Sequence, residues 1–497
     1  MTVLDPVTRV LWPAWRLVRS VVASGLAASE AAGRVARELD RPFPQTPGPR
    51  CAPAAVRAPS ARCAVTRGTG DRASTAAARL HCRLCDSDGL LNVLDLGATP
   101  LCEKSLTPGE LDLPESTFPL HLRLCEDCLL LQIPALIGPD DAVTEYSYFS
   151  SFSDTWVQHA KTFVRDTIKR LGLSTESFMV EVASNDGYLL QHVVAAGIPC
   201  LGIEPSVNVG VTARERGVPT VSAFLDEPLA RRVRAEYGPA ELVVANNVYA
   251  RIPDLRGFTR SLRTLLADDG WLSIEVHHAL KLVRDVQFDT IDHEHFQYYS
   301  LLSATRALAT AGLAVVDAEL LPTHGGSLRI WARPARIAAP PSERVLEVLR
   351  IEKVSGLHRV DGYLQLRPRT ETLRHNLLRF LLQCRADGKR VVGYGAQGMG
   401  NTLLNYCGIR SDLVEYIVDR NPYRHGRFMP GMRIPIHDPK RIAKDRPDVV
   451  LALSWDLEAE LTDQLSYVAE WGGQLVFPPS LQSPAMLVSN GNGAKLP

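Results

Sequence analysis

The chain lacks the features that would place it among charged, membrane-spanning or disulfide-rich proteins. Lysine plus arginine and aspartate plus glutamate number 55 each, so the net charge indicates no polyanionic partner. No apolar run approaches the roughly 20 residues of a spanning helix, and no secretory signal is recognisable. Ten cysteines in 497 residues are too few for a disulfide scaffold. We therefore expect a cytoplasmic globular protein, a monomer or a weak dimer, with neither a nucleic-acid nor a membrane partner.

The length and the changing texture of the sequence predict several domains. Residues 1–80, rich in Ala, Arg and Pro, are predicted to be a disordered extension. Residues 81–140 hold two cysteine pairs and are predicted to be a small zinc domain. Strand and helix patterns alternate in residues 141–335 and again in 389–490, and a charged helical connector is predicted between them at 336–388. Strand-helix alternation builds a parallel sheet covered on both faces, so the predicted fold class is α/β with two Rossmann-type domains.

Individual elements of the first alternating block can also be predicted. A helix over 154–171 follows a cap at Ser153 or Asp154, because apolar residues recur there at helical spacing. Strands are expected at 178–183, 199–205, 241–247 and 271–276, with a helix ending at Ala196 and further helices over 206–216 and 256–267. The second block predicts four strands.

Two CxxC pairs, Cys82 with Cys85 and Cys125 with Cys128, are separated by 39 residues. Each turn can direct two thiolates at one ion, and four thiolates close a tetrahedron with no open position for water. We therefore predict a structural zinc site, with Cys102 or His81 as alternative ligands. Free buried thiols or a redox CxxC are the competing interpretations, and the latter is weaker because neither pair opens a helix after a strand.

The turns after the first two predicted strands indicate a cofactor site. The first strand runs into EVASNDG (181–187), and the second ends at Glu204, which could accept hydrogen bonds from two ribose hydroxyls. The first turn lacks GxGxxG, which favours a nucleoside cofactor without phosphates, such as S-adenosylmethionine (SAM). An acidic residue after a strand can also be a helix cap with no ligand.

The run FDTIDHEHFQYYS (288–300) gathers many groups that can move a proton or hold a metal. On a strand, His293 and His295 would share one face and could bind a metal, with His277 or His278 as a third ligand. A polar strand end at the surface is the alternative without chemistry. Proton transfer by a neutral histidine is the third interpretation.

Together these motifs resemble the sugar C-methyltransferase family, whose members use SAM to methylate a carbon of a nucleotide-linked keto-deoxysugar in antibiotic and surface-sugar biosynthesis. The resemblance runs from about Cys82 to the end of the chain. The motifs that carry it are the cysteine pairs, TPLCEKSL, EYSYFSSFS, EVASNDG, GIEP, VVANNVYARIPDL, HEHFQYYS, GGSLRIWARP, VVGYGAQGMGNTLLNYCGI and PGMRIPIHDP. It implies an N-terminal zinc domain, a central methyltransferase domain of Rossmann type, and a C-terminal Rossmann-like domain that helps hold the sugar nucleotide.

The resemblance also implies roles for individual residues. Tyr146, Glu294 and His295 would line the sugar site, with His295 as general base and His293 as an assisting residue. The cofactor would be held by one group of residues, namely Glu181, Asn185, Asp186, Gly187, Glu204, Asn246 and Asn247.

Three positions depart from the family pattern. Asp292 stands where the family usually has tyrosine, Arg251 where it has histidine, and Met399 where it commonly has lysine. An ionised aspartate beside a forming enolate would repel it unless a cation such as Arg251 compensates. A degenerate methyltransferase that binds SAM or sugar nucleotide without turnover is therefore a second hypothesis. Nucleic-acid methylation is disfavoured, because the zinc segment is acidic rather than basic.

Overall fold

The computed structural model describes residues 80–138 and 149–482. The predicted extension 1–80, apart from its last residue, and Tyr146 lie outside these residues. The strands are β1 Leu90–Thr99, β2 Phe118–Cys125, β3 Leu131–Gln132, β4 Met179–Val182, β5 Cys200–Ile203, β6 Thr220–Val221, β7 Ala240–Asn246, β8 Leu266–His277, β9 Gln297–Tyr298, β10 Leu313–Leu321, β11 Ser327–Pro334, β12 Val391–Tyr394, β13 Ile417–Val418, β14 Ile436–His437, β15 Val449–Ala452 and β16 Gln474–Val476. The helices are α1 Asp154–Leu171, α2 Leu190–Ala195, α3 Val207–Glu215, α4 Glu227–Tyr237, α5 Leu255–Leu265, α6 Ala279–Arg284, α7 Leu301–Ala309, α8 Glu343–Val354, α9 Val360–Leu364, α10 Leu366–Ala386, α11 Gly398–Cys407, α12 Lys440–Asp445 and α13 Glu458–Gln464.

The N-terminal region forms an antiparallel sheet in the order β1-β2-β3-β9. Its last strand, β9, lies within the run 288–300 and begins two residues after His295. Leu131 of β3 pairs there with Tyr298. The cysteine-rich region therefore shares a sheet with the middle of the chain, a connection that the sequence did not reveal.

The middle region forms a seven-stranded sheet in the order β10-β11-β8-β7-β4-β5-β6. Strands β4 to β8 are mutually parallel, and β11 runs antiparallel to both β8 and β10. Because β5 and β7 lie on opposite sides of β4, the strand order reverses at β4. Ligands of open α/β sheets bind beyond the carboxyl ends of the strands at such a reversal.

The predicted elements of this region are confirmed. Helix α1 spans 154–171, and the Ser153 side chain accepts the N–H of Trp156 as its cap. The four predicted strands correspond to β4, β5, β7 and β8, but β8 is longer than predicted at both ends, since it begins at Leu266, inside the predicted helix 256–267, and continues to His277. The sequence analysis missed the two-residue β6 and helix α4.

The C-terminal sheet is entirely parallel, in the order β14-β13-β12-β15-β16. Its strands alternate between two cores: Val391 and Leu451 face one, Val392 and Val450 the other. The first of these cores is continuous with Leu122 of β2 and Leu377 of α10. The helical connector thus packs against both the N-terminal and the C-terminal sheet. Among the described residues, no helix is both long and apolar enough to cross a membrane.

A buried carboxylate in the connector fixes the start of α7. Glu352 of α8, 2% exposed, accepts hydrogen bonds from the backbone N–H of Leu301 at 2.5 Å and of Leu302 at 3.3 Å. Its Oε1 also lies 2.8 Å from Nε2 of His278. A carboxylate at a helix N-terminus satisfies N–H groups that the helix leaves without partners.

We expect Glu352→Gln to lower the free energy of unfolding by about 1–3 kcal/mol, because an amide nitrogen would then face a group that only donates. Glu347→Gln is the matched control, since Glu347 lies on the same helix in an exposed pair with Arg350 and should leave the stability nearly unchanged. Urea unfolding of both variants measures the difference. Equal stabilities would show that Glu352 does not cap α7.

Candidate active site

The four paired cysteines form one compact cluster. Their sulfur atoms all lie within 4.8 Å of one another, with 3.4 Å between Cys82 and Cys128 and 3.5 Å between Cys85 and Cys125. Among the described residues, this is the only group of three or more His, Cys, Asp or Glu side chains that could hold a metal. Cys102 and His81, the alternative ligands, are not part of it.

The two CxxC turns have the same backbone geometry. The residue after each second cysteine, Asp86 or Leu129, has positive φ and donates its N–H to the carbonyl of the first cysteine, Cys82 or Cys125. The hydrogen bond between Cys82 and Cys128 lowers the pKa of Cys82 and raises that of Cys128, and burial raises the pKa of Cys85. Four cysteine sulfurs within 4.8 Å of one another are the ligand set of a closed structural zinc site, in which the bound metal itself favours the thiolate form.

The cofactor loop follows β4 at the reversal of strand order. Its turn needs left-handed backbone at Ala183 and Asn185, and Gly187 has φ +78. A Cβ at Gly187 would approach Val218 Cγ2 to 2.9 Å, so only glycine fits. Glu204, at the end of β5, accepts the backbone N–H of Asn185 at 3.0 Å and of Ser206 at 2.9 Å. This loop therefore brings the predicted cofactor residues of β4 and β5 together.

Several buried oxygens at this edge have no hydrogen-bond partner among the described residues, namely Glu181 Oε2, Ser184 Oγ, Asp186 Oδ1 and Asn246 Oδ1. Burial, with the nearby Glu204, raises the pKa of Glu181 well above its usual range. SAM is rich in donors, since it carries an ammonium group, two ribose hydroxyls and an adenine amino group. The unsatisfied acceptors therefore fit this cofactor. Asn247 adjoins them with φ 56 and donates its N–H to the Glu275 carbonyl at 2.7 Å.

The loop is fastened to the segment before α1 by residues that the sequence analysis missed. Ser150 donates its N–H to Asn185 Oδ1 at 2.8 Å, and the Ser151 hydroxyl donates to Asp186. Arg216 pairs with Asp186 at 2.9 Å and donates to the Ser151 hydroxyl at 2.9 Å. The motif EYSYFSSFS was the available signal for the serines, but no pattern identified Arg216.

The histidine run does not form the strand on which the metal hypothesis relied. Asp292 Oδ1 accepts the N–H of Glu294 at 2.8 Å, and this short-range bond folds residues 292–294 into a turn. His293 is directed at the N-terminal sheet, with its Nε2 3.0 Å from the Phe118 carbonyl. The expectation that His293 and His295 share a strand face is therefore wrong.

The proposed third metal ligands are also engaged elsewhere. His277 Nε2 lies 2.7 Å from Gln287 Oε1, and His278 Nε2 bonds Glu352. The described residues contain no histidine metal group, so a catalytic metal pair in this run is excluded for that part of the chain.

Glu294 and His295 are consecutive in the chain and both buried, and the pKa values of their side chains are shifted in opposite directions. Burial raises the pKa of Glu294 to about 8, against the opposing effect of Arg251. Burial and the charge of Arg251 lower the pKa of His295 well below its usual range. Near neutral pH the pair therefore consists of a carboxylic acid and a neutral imidazole, which can respectively donate and accept a proton. The ring of His295 packs edge-on against Tyr298, with 4.2 Å between centroids.

Arg251 lies between the two acids, 3.6 Å from Glu294 and 4.0 Å from Asp292. The side chains that replace the family's histidine and tyrosine are thus neighbours. The charge of Asp292 also raises the pKa of Glu294. The expected compensation between Arg251 and Asp292 is geometrically present.

The C-terminal glycine loop closes this region from another side. Arg424, 4% exposed, donates to the Ala396 carbonyl and pairs with Glu103 at 2.5 Å. A Cβ at Gly398 would lie 3.2 Å from Cys102 Sγ, so the loop packs closely against the N-terminal region. Met399 follows in the first turn of α11 and is half-buried.

The middle sheet is mostly parallel, its strand order reverses at an acceptor-rich loop, and it is joined to a four-cysteine cluster. These features are those of a zinc-containing, SAM-dependent methyltransferase. Family models match residues 82–142 ("Putative zinc binding domain"), 156–318 ("Methyltransferase domain") and 322–479 ("C-methyltransferase C-terminal domain"). The chain is also 34% identical to the C-methyltransferase NovU of Streptomyces niveus over 398 residues, covering 80% of this chain and 95% of NovU. The chain belongs to the C-methyltransferase family.

Solved structures give weaker likenesses. The magnesium protoporphyrin IX methyltransferase ChlM of Synechocystis PCC 6803 is 14% identical with a TM-score of 0.29, over 35% of this chain and 81% of ChlM. The 1,6-didemethyltoxoflavin-N1-methyltransferase of Burkholderia thailandensis is 14% identical with a TM-score of 0.29, over 43% of this chain and 95% of that enzyme. Nothing about the activity of this chain follows from either.

We expect purified protein to contain about one zinc per chain, since the four thiolates close one tetrahedron. Cys128→Ser should lose most of this zinc and unfold at a lower temperature. Cys384→Ser is the control, because Cys384 is also buried but lies on α10 outside the cluster. Elemental analysis and thermal unfolding measure both effects. Full zinc content in Cys128→Ser would remove that cysteine from the ligand set.

Proposed function

We propose that this chain methylates a carbon next to the ketone of a nucleotide-linked keto-deoxysugar, through the enolate of the sugar, in deoxysugar or natural-product biosynthesis. The observation that carries this proposal is the burial of both Glu294 and His295, with Arg251 3.6 Å from Glu294, since burial raises the pKa of the acid and lowers that of the imidazole. A carbon beside a ketone becomes nucleophilic only when a base removes its proton while a donor stabilises the charge on oxygen.

In the proposed mechanism His295 accepts the proton from the carbon, and the electron pair of that C–H bond moves toward the ketone oxygen. Glu294 donates a hydrogen bond to this oxygen from its protonated carboxyl group. Glu181, Asn185, Asp186, Gly187, Glu204, Asn246 and Asn247 would hold the cofactor. When bound, SAM would supply the electrophilic methyl group to the enolate carbon and leave as the thioether S-adenosylhomocysteine.

Arg251 and Asp292 set the balance of charge around this step. Arg251, 3.6 Å from Glu294, offers a positive charge to the developing enolate. Asp292 keeps Glu294 protonated, because its charge opposes ionisation of the neighbouring acid. On this view the two replacements suit removal of a proton from a different keto-sugar and do not signal lost activity. Tyr146 and His293 remain predicted contributors.

The direct test supplies labelled SAM and a panel of deoxythymidine-diphosphate keto-sugars to the purified chain, with mass spectrometry for the gain of one methyl. His295→Ala should lower kcat by about 10²–10⁴-fold, since it removes the base, while the Kd for SAM stays nearly unchanged. His293→Ala distinguishes the role of this histidine from that of His295. Because His293 bonds the Phe118 carbonyl, its removal should lower kcat less than the removal of His295. SAM binding without product from any keto-sugar would favour the binding protein without turnover.

The pH profile tests the role of Glu294. Its pKa of about 8 means that the donor is present below pH 8 and is lost as the pH rises through that value, so kcat/KM should fall there. Arg251→Leu should move this alkaline limb to higher pH, since Arg251 favours the ionised acid. Asp292→Asn should move it to lower pH, since Asp292 disfavours ionisation.

Glu294→Gln should abolish the alkaline limb, because the amide does not titrate and still donates. A limb that remains unchanged in all three variants would assign it to another group and remove Glu294 as the donor.

A further inference from the structure

His277, the last residue of β8, carries a ring nitrogen that the mechanism above does not use. The amide nitrogen of Gln287 donates to the Gly325 carbonyl at 2.9 Å, which fixes the orientation of this side chain. Gln287 Oε1 therefore faces His277 Nε2 at 2.7 Å. Because an amide oxygen can only accept, Nε2 must carry the hydrogen, and Nδ1 is left with a bare lone pair.

Nδ1 of His277 is buried and has no hydrogen-bond partner among the described residues. Burial also lowers the pKa of His277 to about 4, so the ring stays neutral and Nδ1 stays an acceptor at neutral pH. Leaving a buried acceptor unsatisfied is energetically unfavourable. This nitrogen therefore calls for a donor that the described part of the chain does not provide.

His277 lies where a ligand would supply that donor. Asn246 at the end of β7 pairs with Glu275 of β8, so His277 extends two residues past the cofactor edge of the sheet. The β-bridge between His278 and Tyr299 brings the end of β8 beside Tyr298, against whose ring the proposed base His295 packs.

The C-terminal region closes the other side. A Cβ at Gly325 would meet the Trp455 ring at 2.5 Å, and Trp455 Nε1 donates to Asp289 Oδ2 at 2.6 Å. The next residue, Asp456, lies 3.7 Å from His324 and has a buried oxygen, Oδ1, without a partner. A second unsatisfied acceptor thus lies where the middle region contacts the C-terminal region.

We propose that His277 is a specificity-determining residue whose Nδ1 accepts a hydrogen bond from a ring hydroxyl of the substrate, with Gln287 as the positioning residue that fixes its tautomer. The identity of the ligand as a sugar rests on the proposed function. The need for a hydroxyl or similar donor rests on His277 and Gln287 alone. A site built to bond a hydroxyl discriminates strongly against analogues that lack it.

The kinetic test compares a deoxythymidine-diphosphate keto-sugar bearing free ring hydroxyls with analogues that each lack one. His277→Phe should lower kcat/KM by at least about ten-fold on the parent sugar, the loss of one hydrogen bond, and leave one analogue nearly unaffected. His277→Asn should recover part of the loss, because its side-chain oxygen lies near the position of Nδ1. His358→Phe, on an exposed histidine, is the control.

Equal losses on the parent and on every analogue would assign His277 a purely structural role, and no loss on any of them would show that water satisfies Nδ1. Either result overturns the proposal.

A second readout does not depend on turnover. In protein with ¹⁵N-labelled histidine, the His277 resonances should show a protonated Nε2 and a bare Nδ1, and Nδ1 should shift when the parent sugar nucleotide is added. Gln287→Leu should release the tautomer. A protonated Nδ1 in the free protein would overturn the proposal. If the wild-type chain binds but methylates none of the sugars, the proposed function fails while the resonances still decide the role of His277.

Discussion

The pairing of β3 with β9 is the contact on which the geometry of the candidate site depends. It joins Gln132, four residues after the last zinc-cluster cysteine, to Gln297, two residues after His295. Arg83, inside the first CxxC turn, strengthens the joint by donating to the carbonyls of Phe296 at 3.0 Å and Ile133 at 2.6 Å. Gln132 in turn donates to Cys82 Sγ at 3.2 Å. The zinc cluster therefore holds the backbone from which His295 projects, although its metal has no open position for catalysis.

The sequence was sufficient where the signal is local or chemically specific. Helix α1 has a cap and a long apolar period, and four cysteines at CxxC spacing leave few arrangements, so both were predicted correctly. Strands β6 and β9 have two residues each, too few for any period to be recognised. Helix α4 had a readable cap, since Asp226 accepts the N–H of Leu229, but its charged face obscured the pattern. The turn at Asp292 was missed because two histidines at spacing two suggested a strand.

The electrostatics of the site could not be obtained from the sequence, because it depends on burial and on neighbours distant in the chain. Asp292 looked unfavourable when judged against the family pattern alone. In the folded chain its carboxylate shapes the turn, through the Glu294 N–H, and shifts the pKa of that residue upward. Arg251, 41 residues before Asp292 in the chain, opposes this rise in the pKa of Glu294. Two departures from the pattern thus act on one acid, and each is intelligible only in the presence of the other.

One property connects the cofactor loop with the end of β8. Glu181, Asp186, Asn246 and His277 lie at or just past the carboxyl ends of β4, β7 and β8, and each keeps a buried acceptor atom without a donor among the described residues. Folding leaves such atoms unsatisfied only at a cost, so their alignment along one edge of one sheet indicates ligands that bring donors. In the proposed arrangement SAM would bring an ammonium group and ribose hydroxyls to the first three, and a hydroxylated sugar would bring a donor to the fourth. The order of the acceptors along the edge would then set the order in which cofactor and sugar lie, with the proton pair beside the sugar.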